Sequence, residues 1–271
     1  MSALITPFDH HPDAVAADLT RELAELPTVG LVILRDNADL QTRRDRKYIL
    51  LPSVVTEVIR ARADQLYVLD MAGAQAFAYE SVYFDTPSLD SYRSSALGRR
   101  QRFKVRTRTY LDSQGCVLEL KSLGARGETV KERLEYNLAD RHRLNDIARG
   151  YLESRGLPTD IIRKLSRTLT TTYHRSTLLD SDGARYTIDT GLVCTGLDGT
   201  AASVGEGVFL ETKAPGAATP LDRLLWSWGH RPVSVSKYCS GLAALTPGLP
   251  ANKWNRTLRQ HYGWQPGALR H

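Results

Sequence analysis

Alternating apolar and charged positions dominate the middle of the chain. In residues 102–110 (RFKVRTRTY), Phe103 and Val105 alternate with Lys104, Arg106 and Arg108. Successive strand side chains point to opposite faces of a sheet, so the segment predicts a strand with one cationic face. At least six predicted strands combine a mixed-charge face with an apolar face.

The same patterns predict an order of elements along the chain. Helices are expected at residues 13–27, 53–66 (capped by Ser53), 141–158 and 219–228, with a helical turn at 161–165 and a helical tail around Trp254 to Tyr262. Strands are expected at residues 44–52, 79–87, 101–111, 116–123, 128–138, 169–179, 184–194 and 207–214. Residues 233–241 (VSVSKYCSG) are expected to close the sheet.

The charged face has two interpretations. An antiparallel sheet with one face in water explains any single strand. Taken together, however, Arg and Lys at the centres of several strands favour a face that looks into a barrel, with the apolar helix stripes covering the outside. Such an interior must be wet, internally paired or filled by a polyanion, because desolvating unpaired cations is costly.

Composition narrows the partners only in part. Lys and Arg number 36 against 30 Asp and Glu, which favours anionic partners. Three widely spaced cysteines indicate neither a disulfide framework nor a zinc site and suit a cytoplasmic location. We expect no membrane segment in this chain, with a separate membrane partner as an option. Nucleic acid is not expected, because aromatic side chains for base stacking do not interleave with the basic strand.

Short motifs along residues 44–241 carry a family resemblance. They are RKY (46–48), YFDTP (83–87), KVRTR (104–108), LELK (118–121), VKER (130–133), YHR (173–175), RYTID (185–189), LETK (210–213) and SKYCSG (236–241). In order and spacing they resemble the VTC domain, the catalytic domain of polyphosphate polymerase, within the CYTH or triphosphate-tunnel group.

The resemblance implies an α+β fold, an eight-stranded antiparallel β-barrel with flanking helices, whose basic interior grips a triphosphate or polyphosphate. The catalytic residues that it implies are Lys47, Arg106, Arg108, Lys121, Arg175, Arg185 and Lys237. Further implied phosphate-binding residues are Lys131, Arg133 and Ser236, and Arg126 in the loop 124–127 is expected to reach a tunnel mouth. Tyr173 is placed near the nucleotide base, and Glu211, helped by Glu119, is placed at a Mn²⁺ or Mg²⁺ ion.

The resulting hypothesis is a polymerase-like phosphotransferase that moves the ATP γ-phosphoryl group onto a phosphate chain. Where the wider group reads Glu-x-Glu-x-Lys, this chain reads Arg43, Asp45 and Lys47, which argues against a dedicated triphosphatase or cyclase. The alternatives are hydrolysis of triphosphate at the same site and a non-catalytic module that binds polyphosphate or nucleotide. The expected organisation is a helical extension (1–40), a tunnel domain (41–245) and a helical tail (246–271).

Overall fold

The fold combines helices with one large sheet, as the sequence predicts. A computed structural model describes residues 14–36, 44–124, 129–214 and 216–264. The strands are β1 (Thr28–Val29), β2 (Arg44–Leu50), β3 (Leu66–Leu69), β4 (Phe77–Asp85), β5 (Phe103–Tyr110), β6 (Gly115–Leu123), β7 (Thr129–Glu135), β8 (Ser166–Asp180), β9 (Arg185–Thr195), β10 (Ala201–Ser203) and β11 (Val208–Ala214). The helices are α1 (Ala14–Glu25), α2 (Leu31–Asp36), α3 (Pro52–Arg60), α4 (Asp90–Ala96), α5 (Asp146–Ser154), α6 (Thr159–Lys164), α7 (Pro220–Ser227), α8 (Lys237–Leu245) and α9 (Asn255–His261).

Eight strands form the main hydrogen-bonded series of the sheet. Their order is β2, β11, β9, β8, β4, β5, β6 and β7, while β1, β3 and β10 pair beside this series. The pairings β2–β11, β9–β11, β4–β5, β5–β6 and β6–β7 are antiparallel. The predicted α+β fold with eight antiparallel strands and flanking helices is therefore confirmed, although the strands of the expected barrel are not closed by hydrogen bonds within the described residues. Within the described residues, no pairing joins the two end strands, β2 and β7.

The chain divides into two compact units. The first unit comprises Met1–Phe77, Tyr173–Leu192 and Val204–Ser234, and the second comprises Ala78–Thr172, Val193–Ser203 and Val235–His271. Both units contain charged positions of the sheet, so each unit has its own set of candidate site residues.

Each unit has its own apolar core on the face of the sheet that bears few charges. In the first unit, α1, α3 and α7 pack on strand residues such as Tyr48, Tyr186 and Leu210. In the second unit, α5 and α6 pack on strand residues that include Leu118 and Leu120. The helices thus cover the apolar face in both units, which leaves the charged residues on the opposite face.

The first residues of α7 and α3 show which capping signals in the sequence set the start of a helix. Thr219 caps α7 as predicted, with Pro220 as its first residue, and Asp222 completes a capping box. The prediction that Ser53 caps α3 is wrong. The helix begins at Pro52 after Leu51, because proline is already preorganised for the first helical position.

The expected closing strand at residues 233–241 is also wrong. Ser236 accepts a hydrogen bond from the backbone N–H of Cys239 and caps α8, which starts at Lys237. A serine cap followed by the apolar run 242–245 is a helix signal that outweighs the short alternation before it. The tail forms α9 as expected, although Trp254, Leu258 and Tyr262 are buried.

Among the described residues, no helix is both long enough and apolar enough to cross a bilayer. Arg43 and Arg126 lie outside the described residues.

Candidate phosphate-binding site

Glu119 is the centre of the charged face in the second unit. It lies on β6, directly opposite Arg106 of β5 on one side and Arg133 of β7 on the other. Residues that face each other across antiparallel strands project from the same face of the sheet, so these three side chains converge. Arg108 and Lys131 project from the same face, because each lies two residues from Arg106 or Arg133 on the same strand.

Four cations surround this single carboxylate, whose residue is 2% exposed. Glu119 accepts from Arg106 Nε at 2.7 Å and from Arg133 Nε at 3.0 Å. Lys131 Nζ lies 2.6 Å and Arg108 Nη1 lies 3.8 Å from Oε1 of Glu119. One carboxylate against three arginines leaves the cluster with a net charge of about +2, which becomes about +3 when Lys131 is protonated. We call these five residues the Glu119 cluster.

The pKa values in the Glu119 cluster reflect this excess of positive charge. Burial by itself would raise the pKa of Glu119, but Arg106, Arg108 and Lys131 outweigh burial and hold that pKa well below its ordinary value. Burial, to which the neighbouring arginines add, lowers the pKa of Lys131 to about 6 even though Glu119 opposes the shift. The cluster therefore lacks negative charge, which a bound anion would supply.

A second group of side chains supports the cations of β5 in this unit. Lys104 Nζ donates to Ser236 Oγ at 3.0 Å, at the start of α8. Arg106 Nη1 donates to the hydroxyl of Tyr83 at 3.1 Å, and the Tyr83 ring stacks on Tyr238 with ring centroids 5.0 Å apart. Ser236 thus caps a helix and orients a lysine, while Lys237 is the first residue of that helix.

Asp85 anchors this aromatic pair from the interior. Its carboxylate is fully buried and accepts from the Tyr238 hydroxyl at 2.6 Å and from the backbone N–H groups of Ser91 and Tyr92. Sequence patterns alone indicate no role for Asp85, Tyr238, Tyr83 or Lys104. Tyr83 and Asp85 belong to the YFDTP motif, so the signal was present but gave no indication of which contacts these residues make.

The first unit places Glu211 on β11 between two strands. Its register partners are Lys47 of β2 and Thr187 of β9, and its carboxylate lies 3.0 Å from Lys213 Nζ. Burial would raise the pKa of Glu211, yet the charges of Lys213, Lys47 and Arg175 keep it well below its ordinary value. Glu211 is therefore ionised at neutral pH.

Arg175 and Asp189 form a two-pronged ion pair in this unit. Arg175 Nε and Nη2 donate to the two carboxylate oxygens of Asp189 at 2.5 and 2.8 Å. The guanidinium carbon of Arg175 also lies 5.4 Å from the centre of the buried Tyr173 ring. Burial, to which Arg175 and Arg185 add, lowers the pKa of Lys213 to about 8 even though Glu211 opposes the shift.

The predicted site residues therefore fall into two sets, one in each unit. Those of the first unit are Lys47, Tyr173, Arg175, Arg185 and Glu211. Those of the second unit are Arg106, Arg108, Glu119, Lys121, Lys131, Arg133, Ser236 and Lys237. Lys121 is exposed on β6, in register with Lys104 and Lys131.

A resident metal centre built from protein ligands alone does not fit the described residues. No group of three or more His, Cys, Asp or Glu side chains is arranged around a common point there. Both oxygens of Glu119 already accept from cations. Glu211, by contrast, faces the Thr187 hydroxyl, which has no hydrogen-bond partner among the described residues. One carboxylate suits Mg²⁺ or Mn²⁺ that arrives with phosphate oxygens and water.

Comparison with solved structures gives remote similarities. The chain resembles HpAC1 from Hippeastrum, named as an adenylyl cyclase with a dominant triphosphatase activity, at 15% identity over 76% of this chain and 97% of that chain, with a TM-score of 0.46. It resembles an adenylate cyclase of Vibrio parahaemolyticus at 13% identity over 72% and 95% of the two chains, with a TM-score of 0.43. For the inorganic triphosphatase NE1496, identity is 12% over 66% and 83% of the chains, with a TM-score of 0.29.

Comparison at the level of sequence is more decisive. No curated protein sequence matches the chain. The sequence model of the VTC domain, in contrast, matches residues 42–246. This range covers more than half of the chain and includes β2 to β11 together with the Glu119 cluster, Glu211 and Arg175. The chain therefore belongs to the VTC domain family.

Proposed function

We propose that the chain is a metal-dependent ATP–polyphosphate phosphotransferase that moves the γ-phosphoryl group of ATP onto the end of a phosphate chain. The Glu119 cluster is the observation that carries the proposal. Four cations share one carboxylate, three of them with largely buried side chains. Such an arrangement is costly unless an anion completes it, and a phosphate group offers paired oxygens that match the planar fork of arginine.

The chemistry requires positioning more than a protein nucleophile. In phosphoryl transfer the charge spreads over the phosphoryl oxygens, and the acceptor is already an oxygen anion when it is the end of a phosphate chain. Arg106 and Lys131 neutralise and align these oxygens. Glu119 then orients the cations, a role that we propose for it in place of the metal-helper role expected from the sequence.

We propose that the metal accompanies the triphosphate and is held by Glu211 in the first unit. A bound Mg²⁺ or Mn²⁺ ion would neutralise charge that develops on the leaving group. Glu211 is ionised, and without such a counter-charge its carboxylate would repel a phosphate. Lys47, Lys213 and Arg175 of the same unit, whose charges act on Glu211, are the phosphate ligands around it.

Partners and location follow from the same proposal. ATP and polyphosphate or triphosphate are the ligands, and a separate membrane protein is a candidate partner. Cys116, Cys194 and Cys239 are buried free thiols, which suits the reducing cytoplasm that the sequence favours.

The experiment is to incubate the purified chain with ATP and Mn²⁺, to resolve products on a polyphosphate gel and to measure free phosphate. A ladder that disappears in Glu211→Gln and Arg106→Ala supports the proposal. Matched controls are Glu206→Gln and Arg163→Ala, two exposed positions outside the charged face, which should keep the ladder. Free phosphate without a ladder would make the protein a triphosphatase, and neither product would leave a binding module.

A further inference from the structure

Two of the buried polar groups in the second unit lie side by side and have no hydrogen-bond partner among the described residues. Ser81 of β4 is 0% exposed, and its Oγ makes no hydrogen bond within the described residues. Arg108 of β5 is 7% exposed, and its Nε is likewise without an acceptor there. An unmade hydrogen bond at a buried group costs about 1–3 kcal/mol, and more when the group is charged.

These two groups are direct neighbours. Ser81 and Arg108 are register partners in the antiparallel β4–β5 pair, so their side chains project from the same face. That face also bears Tyr83, which accepts from Arg106. Ser81 is therefore a hydroxyl on the edge of the Glu119 cluster.

Arg108 is the least satisfied cation of the cluster. Its nearest distance to Glu119, 3.8 Å from Nη1 to Oε1, is longer than a hydrogen bond. Its other described contact is with Tyr79, whose ring centroid lies 5.7 Å from the guanidinium carbon. A desolvated guanidinium with an unsatisfied donor, beside an unsatisfied hydroxyl, has the composition of an oxyanion subsite.

We propose that Ser81 is a phosphate-binding residue: its hydroxyl and Arg108 Nε donate to the oxygens of one phosphoryl group of a triphosphate or polyphosphate. This inference rests on the proposed function and adds a ligand that no motif of the sequence assigns. A charged donor and a neutral hydroxyl together suit an oxygen that carries partial negative charge, as the non-bridging oxygens of phosphate do.

The proposal predicts opposite signs for stability and affinity. Replacing Ser81 with alanine removes an unsatisfied buried hydroxyl, so the melting temperature without ligand should stay equal or rise. The same replacement removes a donor to a charged ligand, and the affinity for inorganic tripolyphosphate should fall roughly tenfold. Replacing a serine with a purely structural role should instead lower the melting temperature and leave the affinity unchanged.

Ser94 of α4 is the matched structural control. It is also buried in the second unit, and its hydroxyl donates to the carbonyl of Ser91 at 3.1 Å. Ser94→Ala should lower the melting temperature and leave tripolyphosphate affinity unchanged. Ser81→Cys preserves the volume of the side chain with a weaker donor, and it decides the matter if Ser81→Ala does not fold.

The experiment is calorimetry with inorganic tripolyphosphate, alongside thermal unfolding, on the full chain. Weaker binding by Ser81→Ala and Ser81→Cys without a loss of stability supports the proposal. If both variants bind as tightly as the unmodified chain while Arg106→Ala does not bind, Ser81 is not a ligand and the proposed function stands. If the unmodified chain does not bind tripolyphosphate, the proposed function itself is overturned, and the Ser81 assignment with it.

Discussion

Neutralising Glu119 tests the charge balance of the whole cluster. In Glu119→Gln the shape of the side chain is retained, but Arg106 and Lys131 lose a carboxylate at 2.5 and 2.6 Å. Removing one partner of a buried ion pair costs about 3–5 kcal/mol. Arg133 adds little, because its side chain is 53% exposed and solvent screens its charge. For a chain of this size, the melting temperature should fall by roughly 6–20 °C.

The same contacts predict how the melting temperatures change with pH and with added tripolyphosphate. The pKa of Glu119 is depressed in the folded state, so its stabilising effect is complete above its ordinary value of 4.5 and is lost as the pH falls below that value. The difference in melting temperature between the unmodified chain and Glu119→Gln should therefore be constant near pH 7 and should become smaller in acid. Tripolyphosphate should raise the melting temperature of Glu119→Gln more than that of the unmodified chain, because the polyanion replaces the missing charge.

Differential scanning fluorimetry between pH 4 and pH 8, with and without tripolyphosphate, measures both effects. The control is Glu132→Gln on the neighbouring strand β7, where the carboxylate lies on the opposite face of the sheet and pairs with a half-exposed Arg155 at 3.3 Å. That variant should change stability by less than about 1 kcal/mol. An unchanged melting temperature in Glu119→Gln would refute the reasoning, and a loss of metal dependence without a loss of stability would return Glu119 to the role of a metal ligand.

Three further substitutions follow from single contacts. Tyr83→Phe keeps the stacked ring but removes the hydroxyl that accepts from Arg106 Nη1. The affinity for tripolyphosphate, measured by calorimetry, should fall severalfold with little change in melting temperature. Equal affinity would rule out an orienting role for Tyr83. The pKa of Lys131 is lowered to about 6, so unfolding takes up a proton between pH 6 and pH 10.5 and stability rises with pH in that range. In metal-free buffer Lys131→Met should therefore have a higher melting temperature than the unmodified chain, and this difference should become smaller towards pH 10. A difference that does not change with pH would contradict the lowered pKa of Lys131. Asp222→Ala should destabilise the chain by several kcal/mol in denaturant titration, because the buried carboxylate accepts from Tyr48 and from the cap of α7; a loss below about 1 kcal/mol would show that this network is dispensable.

Which face of each strand is charged follows from the sequence pattern alone. The period of two is a property of the backbone, so the alternation around Arg106 and Arg108 predicted their shared face without any knowledge of the neighbouring strands. Local signals likewise located the capping box of α7 and the hairpin between β5 and β6. The ordered motifs predicted the family, which the match over residues 42–246 confirms.

Which charged side chains contact one another depends on the folded arrangement of the strands. Glu119 and Arg133 are 14 residues apart, and their contact depends on the register of β6 with β7, which the alternation leaves open. For the same reason no sequence pattern indicated that Asp85 accepts a hydrogen bond from Tyr238, 153 residues away. Residues 233–241 show that a local pattern can also predict the wrong element. Their alternation resembles a strand, but the cap at Ser236 and the burial of the apolar side of α8 favour a helix. Periodicity defines faces locally, whereas register and burial are collective properties of the folded chain.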